Sequence, residues 1–320
     1  TQFAHLRIPL EDVVKATDNF HDDNIIVRRG IIGPAYKGQL SQAGKLIKIT
    51  AVRLDRKKGK GDIEFWTEVS MLSDLQHENL TSIIGFCDEQ NEKIIVTTYE
   101  AKGSLRGHLN SPNLTWTQRL KISIGVARAM SYLHHDEGRS YGVIHRYLNS
   151  SSILLDENWE AKLSGFMFSV KQSVNRMDQD LLCEPVGVRG YEDPTFEKSI
   201  GVSHKSDTYS FGVVLFEILC GRKAFVSNDS HKLLAPLAIH HYEKNTLKDI
   251  IHPDLWNQLS RQSVDIYSKI SYSCLKEDPT YRPNTNNIVN KLEKALELQL
   301  RFENLVGGPI EASKWGGDDS

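Results

Sequence analysis

The chain has 320 residues, of which 39% are hydrophobic and 25% are charged, and its formal net charge is −2. This composition excludes an intrinsically disordered chain and predicts a folded protein with a sizeable core. The near-neutral charge offers no global electrostatic attraction to nucleic acid or to an anionic membrane, so we expect neither as a partner.

The four cysteines are spread along the chain without a CxxC pair, at positions 87, 183, 220 and 274. In a chain of this length, such spacing is typical of reduced, buried thiols rather than of a disulfide framework or a zinc site. There is no run of about 18 apolar residues, so no membrane segment is predicted within the chain. We expect a cytoplasmic protein, or the cytosolic part of a longer one.

The predicted elements change character along the chain. Residues 1–25 contain a short helical pattern and are predicted to form an N-terminal extension. Residues 26–100 combine β-forming residues with one amphipathic helix, "GDIEFWTEVSMLSDL", and residues 101–303 carry mainly helical patterns. Residues 304–320 have no core pattern and are predicted to be a flexible tail or linker. A small β-rich lobe is therefore expected to precede a large helical lobe.

Two stretches of the helical part are distinctive. The segment "YSFGVVLFEILCG" is apolar all round, which predicts a helix buried in the core. Residues 170–200 are polar and aperiodic, which predicts a long loop. A loop of that length inside a compact domain is usually functional or disordered.

Several short motifs follow one another in a recognisable order, namely "GPAYKG", "FWTEVSMLSDLQHENLTSIIGFC", "KSDTYSFGVVLFEILCGRKAF" and "CLKEDPTYRP". With these motifs, residues 8–300 resemble a eukaryotic protein kinase domain, and more closely the cytosolic kinase domains of plant receptor-like kinases. The resemblance implies an α+β, bilobal protein-kinase-like fold. It has a small β-rich N-lobe with helix C and a large helical C-lobe.

The catalytic loop of this family reads HRDLxxxN, whereas this chain has "HRYLNSSS". By resemblance, Tyr147 replaces the catalytic base, Asn149 replaces a lysine, and Ser152 replaces a metal-binding asparagine. The metal-binding DFG triplet becomes "GFM", beginning at Gly165. A phenol with a pKa near 10 is no base at neutral pH, and Mg²⁺ prefers carboxylate ligands. We therefore predict that no catalytic residue is intact at these degenerate positions and that no metal is bound.

The nucleotide site of the family is expected only in vestigial form. Its first loop glycine is replaced by Arg28, and the remaining glycines could form either a phosphate cradle or a plain β-turn. Arg53 matches the lysine of the third strand, and we expect it to pair with Glu68 of helix C rather than bind phosphate. The vestigial nucleotide-binding residues implied by the resemblance are Gly30, Gly33, Arg53, Glu68, Thr98 and Glu100.

The residues that hold the kinase fold together are largely retained. By resemblance, Asp207 would accept backbone hydrogen bonds from the catalytic loop, and His145 would stack on Phe166. Thr195 stands where a glutamate would pair with Arg282, so this arginine needs another partner. The losses fall on atoms that would touch nucleotide, metal and acceptor hydroxyl.

This pattern predicts a pseudokinase, a catalytically inactive kinase-like domain that is not an enzyme and has no cofactor. It would act as a protein-interaction or regulatory scaffold in plant signalling, with other proteins as partners, for example an active kinase or an immune receptor. Two alternatives are kept open. One is a nucleotide sensor with weak, metal-independent ATP binding, and the other is a weak, atypical Ser/Thr protein kinase.

Overall fold

A computed structural model of the chain describes residues 2–55, 61–198 and 201–306. Most of the predicted tail, residues 307–320, lies outside the described residues. The remaining domain boundaries proposed from the sequence stay predictions. Within the described residues, no helix is long and apolar enough to cross a membrane.

The N-lobe contains a five-stranded antiparallel sheet in the order β1-β2-β3-β5-β4. Its strands are β1 (Ile25–Val27), β2 (Ala35–Gln42), β3 (Lys45–Arg53), β4 (Ile83–Glu89) and β5 (Glu92–Thr98). Two helices accompany the sheet, α1 (Leu10–Ala16) and α2 (Asp62–Asp74). Helix α2 corresponds to the amphipathic helix predicted from the sequence.

The C-lobe is mainly helical, as predicted. Its helices are α3 (Trp116–His135), α4 (His204–Cys220), α5 (Leu234–Glu243), α6 (Arg261–Cys274) and α7 (Thr285–Val306). Short strands form three small sheets around them, built from β6 (Gly103–Ser104), β7 (Tyr141–Ile144), β8 (Ile153–Leu155), β9 (Ala161–Leu163), β10 (Val170–Ser173), β11 (Leu181–Leu182) and β12 (Gly201–Val202). The two lobes together confirm the predicted α+β bilobal kinase fold.

Short 3₁₀ helices fill many of the connections. They are Ala4–Leu6, Asp22–Asn24, Leu105–His108, Val174–Arg176, Pro194–Glu197, Leu247–Asp249, Pro253–Leu255 and Pro279–Tyr281. The stretch predicted as a long polar loop is more ordered than expected, because β10 pairs with β7 and β11 pairs with β12. This stretch belongs to the segment between Gly165 and Thr195, which we call the activation segment.

Helix α4 forms the centre of the C-lobe, as its apolar sequence predicted. Ser203 caps its first turn in a reciprocal capping box with Ser206, which satisfies two backbone donors that a helix start leaves unpaired. Apolar side chains all around this helix are fully buried, among them Phe211, Leu215 and Phe216. The helix therefore provides a rigid base under the catalytic loop.

The N-lobe sheet is covered on both faces by separate apolar clusters. Val13 of α1 packs with Ile49 and Ala51 of β3 on one face. Phe65 and Val69 of α2 pack in the other cluster, against which Val52 of β3 also packs. Because successive side chains of a strand point to opposite faces, the two clusters fix which face each β3 residue serves.

The approach of α1 to the sheet requires a glycine in β2. A Cβ atom added at Gly38 would lie 2.5 Å from the carbonyl oxygen of Ala16. The segment before β1 is thus packed closely on the sheet, and its Val13 has no exposed surface.

Candidate functional site

The catalytic loop between β7 and β8 is anchored to helix α4 by Asp207. The carboxylate of Asp207 accepts hydrogen bonds from the backbone N–H of His145 at 2.7 Å and of Arg146 at 2.9 Å. His134 Nε2 lies 2.9 Å from the same carboxylate. Burial opposes ionisation of Asp207, but these hydrogen bonds outweigh it and hold its pKa below the usual value. The predicted anchoring role of Asp207 is confirmed.

The predicted contact between the catalytic loop and the start of the activation segment is also present. The rings of His145 and Phe166 meet edge to face, with centroids 4.9 Å apart, and both side chains are buried. The ring of His145 also approaches the carbonyl oxygen of Ser164, with Nε2 at 2.9 Å. The catalytic loop and the triplet at 165–167 are therefore held together by direct contacts of His145.

Tyr147 occupies the position of the base as a half-buried aromatic ring. Its ring centroid lies 5.4 Å from that of Phe168, in a tilted arrangement. Burial raises the pKa of the Tyr147 phenol above its usual value, which makes it a still poorer base at neutral pH. The side chain packs against the activation segment.

Asn149 and Ser152 are engaged in hydrogen bonds that shape the loop itself. The amide Nδ2 of Asn149 donates to the Tyr147 carbonyl at 2.8 Å. The Ser152 hydroxyl donates to the Asn149 carbonyl at 2.9 Å and accepts from the Asn149 N–H at 3.1 Å. Both side chains are buried, and their polar atoms serve the loop backbone.

Gly165 is the last of the degenerate positions predicted from the sequence. A Cβ atom added there would lie 3.5 Å from the Ser152 Cβ and 3.7 Å from the Tyr147 Cδ1, so the structure brings the three positions together. None of the three supplies a carboxylate, and among the described residues no group of three or more His, Cys, Asp or Glu side chains could hold a metal ion. The donor set at these positions does not fit Mg²⁺, which favours carboxylate and phosphate oxygens.

The loop that would cover a nucleotide is folded against the end of β3. A Cβ atom at Gly33 would lie only 1.7 Å from the Arg53 carbonyl oxygen, and one at Gly30 would lie 2.2 Å from the Gly33 carbonyl oxygen. The Asp55 N–H donates to the Ile32 carbonyl at 2.7 Å. The side chain of Ile32 is buried in the cluster that contains Phe65. Both glycines therefore permit close backbone packing, which any larger residue would prevent.

The expected pair of Arg53 with Glu68 is wrong. Arg53 donates instead to Glu92, from Nε at 2.9 Å and from Nη2 at 2.6 Å. Its guanidinium also lies over the ring of Phe20, 4.4 Å from the centroid. The side chain of Arg53 thus lies on the face of the sheet that α1 covers.

Strand alternation gives the physical reason for this error. Val52 packs with the α2 cluster, so Val52 is the β3 residue on the face of Glu68. The resemblance matched the lysine of the third strand to Arg53, one residue after Val52. A shift of one residue along a strand moves the side chain to the opposite face of the sheet, so Arg53 lies away from Glu68. At the position that faces helix α2, the chain therefore has an apolar side chain.

Glu68 is left buried without a basic partner among the described residues. Burial raises the pKa of its carboxyl to about 7, and a hydrogen bond from the Phe166 N–H opposes this rise. Its Oε2 atom is fully buried and has no hydrogen-bond partner among the described residues. Burying an ionised carboxylate without a partner costs free energy, so the ionised form of Glu68 destabilises the fold.

The connection between the lobes holds the last two predicted nucleotide-site residues. The hydroxyl of Thr98 donates to Glu100 Oε1 at 2.9 Å. Burial raises the pKa of the Glu100 carboxyl, and the Thr98 hydrogen bond opposes the shift. These two residues lie together, whereas the side chain of Arg53 is turned to Glu92 and Phe20, on the face of the sheet opposite to the Glu68 side.

Arg282 finds its substitute partner at a position that the sequence reading missed. Its Nη1 donates to Asp193 Oδ2 at 2.5 Å and its Nη2 donates to Asp193 Oδ1 at 2.8 Å. Thr195 donates its hydroxyl to the same Asp193 Oδ1 at 2.8 Å. The only sequence signal was an acidic residue two positions before Thr195.

A second buried network ties the same segments together and carried no sequence signal. Glu217 Oε1 accepts hydrogen bonds from Tyr191 at 2.7 Å, from Ser150 at 3.1 Å and from the Ala224 N–H at 2.9 Å. Tyr191 belongs to the activation segment and Ser150 to the catalytic loop. Helix α4 therefore anchors both elements at a second point.

Comparison with known proteins agrees with this architecture. The sequence pattern of the family described as protein tyrosine and serine/threonine kinase matches residues 25–292. The chain belongs to this protein kinase family. Its curated relatives include two proteins of Arabidopsis thaliana, named receptor-like protein kinases ANXUR1 and ANXUR2, which are 38% and 37% identical over 298 residues and match 92% of this chain. Receptor-like protein kinase HERK 1 of the same plant is 38% identical over 305 residues and matches 93% of this chain.

This kinase-family chain spans 34% of the length of the first two relatives and 36% of the third. The matches confirm a kinase domain similar to those of plant receptor-like kinases.

The prediction that the chain is not an enzyme is contradicted by these comparisons. The matching family is one of protein kinases, and the relatives are named as protein kinases. The physical weakness of that prediction was to equate lost side chains with lost activity. Phosphoryl transfer depends mainly on positioning and electrostatics, and a missing base typically lowers a rate by 10²–10⁴ without removing the positioning.

Proposed function

We propose that this chain is a signalling domain of the receptor-like kinase class that transfers phosphate slowly and acts mainly through contacts with other proteins. One observation carries the proposal. The positions for base and metal hold Tyr147, Ser152 and Gly165, whereas the buried contacts of Asp207 and Arg282, which position the surrounding segments, are complete.

The expected rate follows from what remains in the cleft. Enzymes accelerate reactions by about 10⁶-fold or more, and loss of a general base typically costs about 10²–10⁴ of that factor. Missing metal ligands remove several further kcal/mol of transition-state stabilisation. Turnover is therefore expected to be at least about 100-fold below that of a relative with an intact site.

Protein contact is the second part of the proposed role. The activation segment is ordered by backbone pairing and by Arg146, which donates to the Phe168 carbonyl at 3.0 Å and to the Glu184 carbonyl at 2.5 Å. An ordered surface of this kind loses little conformational entropy when it binds a partner. We propose protein partners in plant signalling, such as an active kinase or an immune receptor, and a cytoplasmic location.

Nucleotide binding in this role would be weak and independent of metal. Support comes from the arrangement of Arg53, which is turned to Glu92, and from Gly165, which supplies no carboxylate. The connection at Thr98 and Glu100 remains as a place for the base of a nucleotide. The affinity would thus come from the base rather than from the phosphates.

A transfer assay with labelled ATP tests the proposal. The purified 320-residue chain and the kinase domain of ANXUR1 would be compared on a generic protein substrate in the presence of Mg²⁺. We expect a signal at least about 100-fold below that of the relative. The Gly165→Asp variant adds a carboxylate at the metal position and is expected to raise the signal.

The variant also separates this chain from a contaminating kinase. A contaminant would give the same signal with the native chain and with Gly165→Asp, and this result would overturn the proposed transfer activity. A native rate equal to that of the relative would overturn the proposed slow turnover.

A further inference from the structure

At the middle of helix α2, Glu68 has no basic partner among the described residues. Val52 packs in the cluster that Phe65 and Val69 of helix α2 form on the sheet, and the buried Glu68 Oε2 has no hydrogen-bond partner among the described residues. A different set of contacts holds the C-terminal end of the same helix. That end is Asp74, the last residue of α2.

Asp74 is bound directly to the activation segment. The ammonium of Lys171 lies 2.5 Å from Asp74 Oδ2. Lys171 is the second residue of β10, which begins five residues after Gly165. The end of helix α2 is therefore joined to the strand that follows the 165–167 triplet.

Lys171 is itself held in place by an aromatic ring of β7. Its Nζ lies 4.6 Å from the centroid of the Tyr141 ring. In the antiparallel pair of β10 with β7, Lys171 is opposite Val143 and Ser173 is opposite Tyr141. Tyr141 is thus the diagonal neighbour of Lys171 on one face of the ribbon, within reach of its long side chain.

A second cation continues the contact towards helix α3. The Arg139 guanidinium lies 5.3 Å from the Tyr141 centroid and 4.5 Å from the Tyr132 centroid. Tyr132 stacks on His77, with ring centroids 5.1 Å apart, and its hydroxyl accepts from the Gln76 N–H at 3.0 Å. Both His77 and Gln76 follow directly after helix α2.

We propose that Lys171 is a positioning residue for helix α2, acting through a cation–aromatic clamp that joins the end of this helix to β7, β10 and α3. The clamp consists of Asp74, His77, Tyr132, Arg139, Tyr141 and Lys171. Through it, the position of helix α2 follows the conformation of the activation segment, without an ion pair at Glu68.

The clamp is stabilised by the network of contacts rather than by the Lys171–Asp74 ion pair alone. The side chains of Lys171 and Asp74 are 35% and 42% exposed, and an isolated exposed ion pair contributes little. Two cations over aromatic faces add independent contributions that do not require burial of an unpaired charge. Removing the charge of Lys171 should therefore loosen helix α2 locally while the core of the C-lobe stays closed.

Hydrogen exchange of the 320-residue chain, followed by mass spectrometry, tests this local effect. The first variant, Lys171→Met, keeps the approximate length of the side chain but removes its charge. The second, Lys171→Arg, keeps a cation that can reach both Asp74 and the Tyr141 ring. The control is Lys198→Met, which removes an exposed ion pair with Glu277 that does not belong to the clamp. The amides of residues 62–75 and those of helix α4 are compared.

We expect Lys171→Met to speed exchange in residues 62–75 by about threefold to tenfold, with helix α4 unchanged. Lys171→Arg should stay within about twofold of the native chain, because it can form the same contacts. Lys198→Met should leave both regions unchanged. Equal acceleration of α2 and α4 by Lys171→Met, or no more acceleration of α2 than in the control, would overturn the clamp.

A second variant keeps the proposal testable if Lys171→Met folds poorly. Asp74→Asn removes the same ion pair from the side of the helix. In a double-mutant cycle, the effect of Lys171→Met should be smaller in the Asp74→Asn background than in the native one. Fully additive effects on α2 exchange would show that the two residues act independently, and this would contradict the clamp.

Discussion

Arg282 and Asp193 form a bidentate, buried ion pair between the last helical region and the activation segment, with N–O distances of 2.5 and 2.8 Å. The side chain of Arg282 has no exposed surface and that of Asp193 is 4% exposed. Arg282 also donates to backbone carbonyls of Lys276, Lys205 and Glu277. The pair is therefore part of a satisfied polar network, which fixes the end of the activation segment although Thr195 carries no charge.

Breaking this pair should destabilise the fold strongly. Asp193→Asn leaves the Arg282 charge buried without its counterion, and such losses typically cost about 3–5 kcal/mol. Chemical denaturation of the purified variant measures the change in the free energy of unfolding. Asp254→Asn, at an exposed carboxylate, is a matched control with an expected change within about 0.5 kcal/mol. An effect of Asp193→Asn no larger than the control would show that Arg282 is held by its carbonyl partners alone.

The buried carboxyl of Glu68 should make stability depend on pH. Burial raises its pKa in the folded state to about 7, above the ordinary value of 4.5. The contribution of protonated Glu68 to the free energy of unfolding is therefore fully present below pH 4.5 and is lost as the pH rises through about 7. Glu68→Gln should raise the free energy of unfolding at pH 8 by about 1–3 kcal/mol and change it little at pH 5.

Urea denaturation at the two pH values checks this prediction. Glu217 also has a raised pKa, of about 7, but it is present in both proteins and cancels in the difference. Glu64→Gln, on the same helix and half-exposed, is the matched control. A stabilisation of equal size at pH 5 and pH 8 would mean that ionisation of Glu68 is not the cause.

A buried histidine should add sensitivity to acid. Burial lowers the pKa of His204 to about 4, while its Nδ1 lies 2.7 Å from the Met177 carbonyl. Since the folded pKa is below the ordinary value of 6.5, stability is present above pH 6.5 and is lost as the pH falls towards about 4. His204→Asn, which can keep the donor to Met177, should flatten the decline of the unfolding free energy over this range.

The measurement is the melting temperature of native and variant chains between pH 7 and pH 4. His231→Asn, at an exposed histidine, should leave the native slope unchanged. Parallel acid profiles for the native chain and His204→Asn would assign the acid sensitivity to other groups.

Restoring the catalytic base alone should not restore rapid transfer. Tyr147→Asp supplies a carboxylate at the base position, but Ser152 and Gly165 still provide no metal ligands. The rate in the labelled-ATP assay should stay within about threefold of the native rate. The triple variant with Ser152→Asn and Gly165→Asp should exceed it by about tenfold or more, because it supplies the missing metal ligands together with the base. Rapid transfer by Tyr147→Asp alone would overturn this account of the site.

Gly165→Asp is structurally feasible in that triple variant. The backbone φ at Gly165 is +81°, a region that aspartate tolerates better than most residues. A Cβ atom there has ordinary contacts of 3.5 Å or more. The variant should therefore fold, with a modest loss of stability from the backbone conformation.

The sequence was informative where motif and periodicity agreed. The bilobal fold, the buried helix α4, the anchoring by Asp207 and the contact of His145 with Phe166 were all predicted correctly. The buried helix follows from its apolar sequence. The contacts of Asp207 and of His145 join residues that are distant along the chain, and they were expected from the resemblance to the kinase family.

The side-chain partners of the N-lobe could not be read in the same way. Whether Arg53 or Val52 faces helix α2 depends on strand register, and a shift of one residue moves a side chain to the other face of the sheet. Asp193 and Lys171 were missed because their partners, Arg282 and Asp74, are distant in sequence. Only the folded structure brings such residues together.

The most direct test of the altered cleft is the thermal stability of the purified 320-residue chain with ATP, in the presence and absence of Mg²⁺. Binding to the folded state raises the melting temperature, because it stabilises that state by RT ln(1 + L/Kd), where L is the free ligand concentration. We expect a small rise in melting temperature at millimolar ATP that is the same with and without Mg²⁺, since Ser152 and Gly165 supply no metal ligands. A rise that requires Mg²⁺ would contradict this expectation.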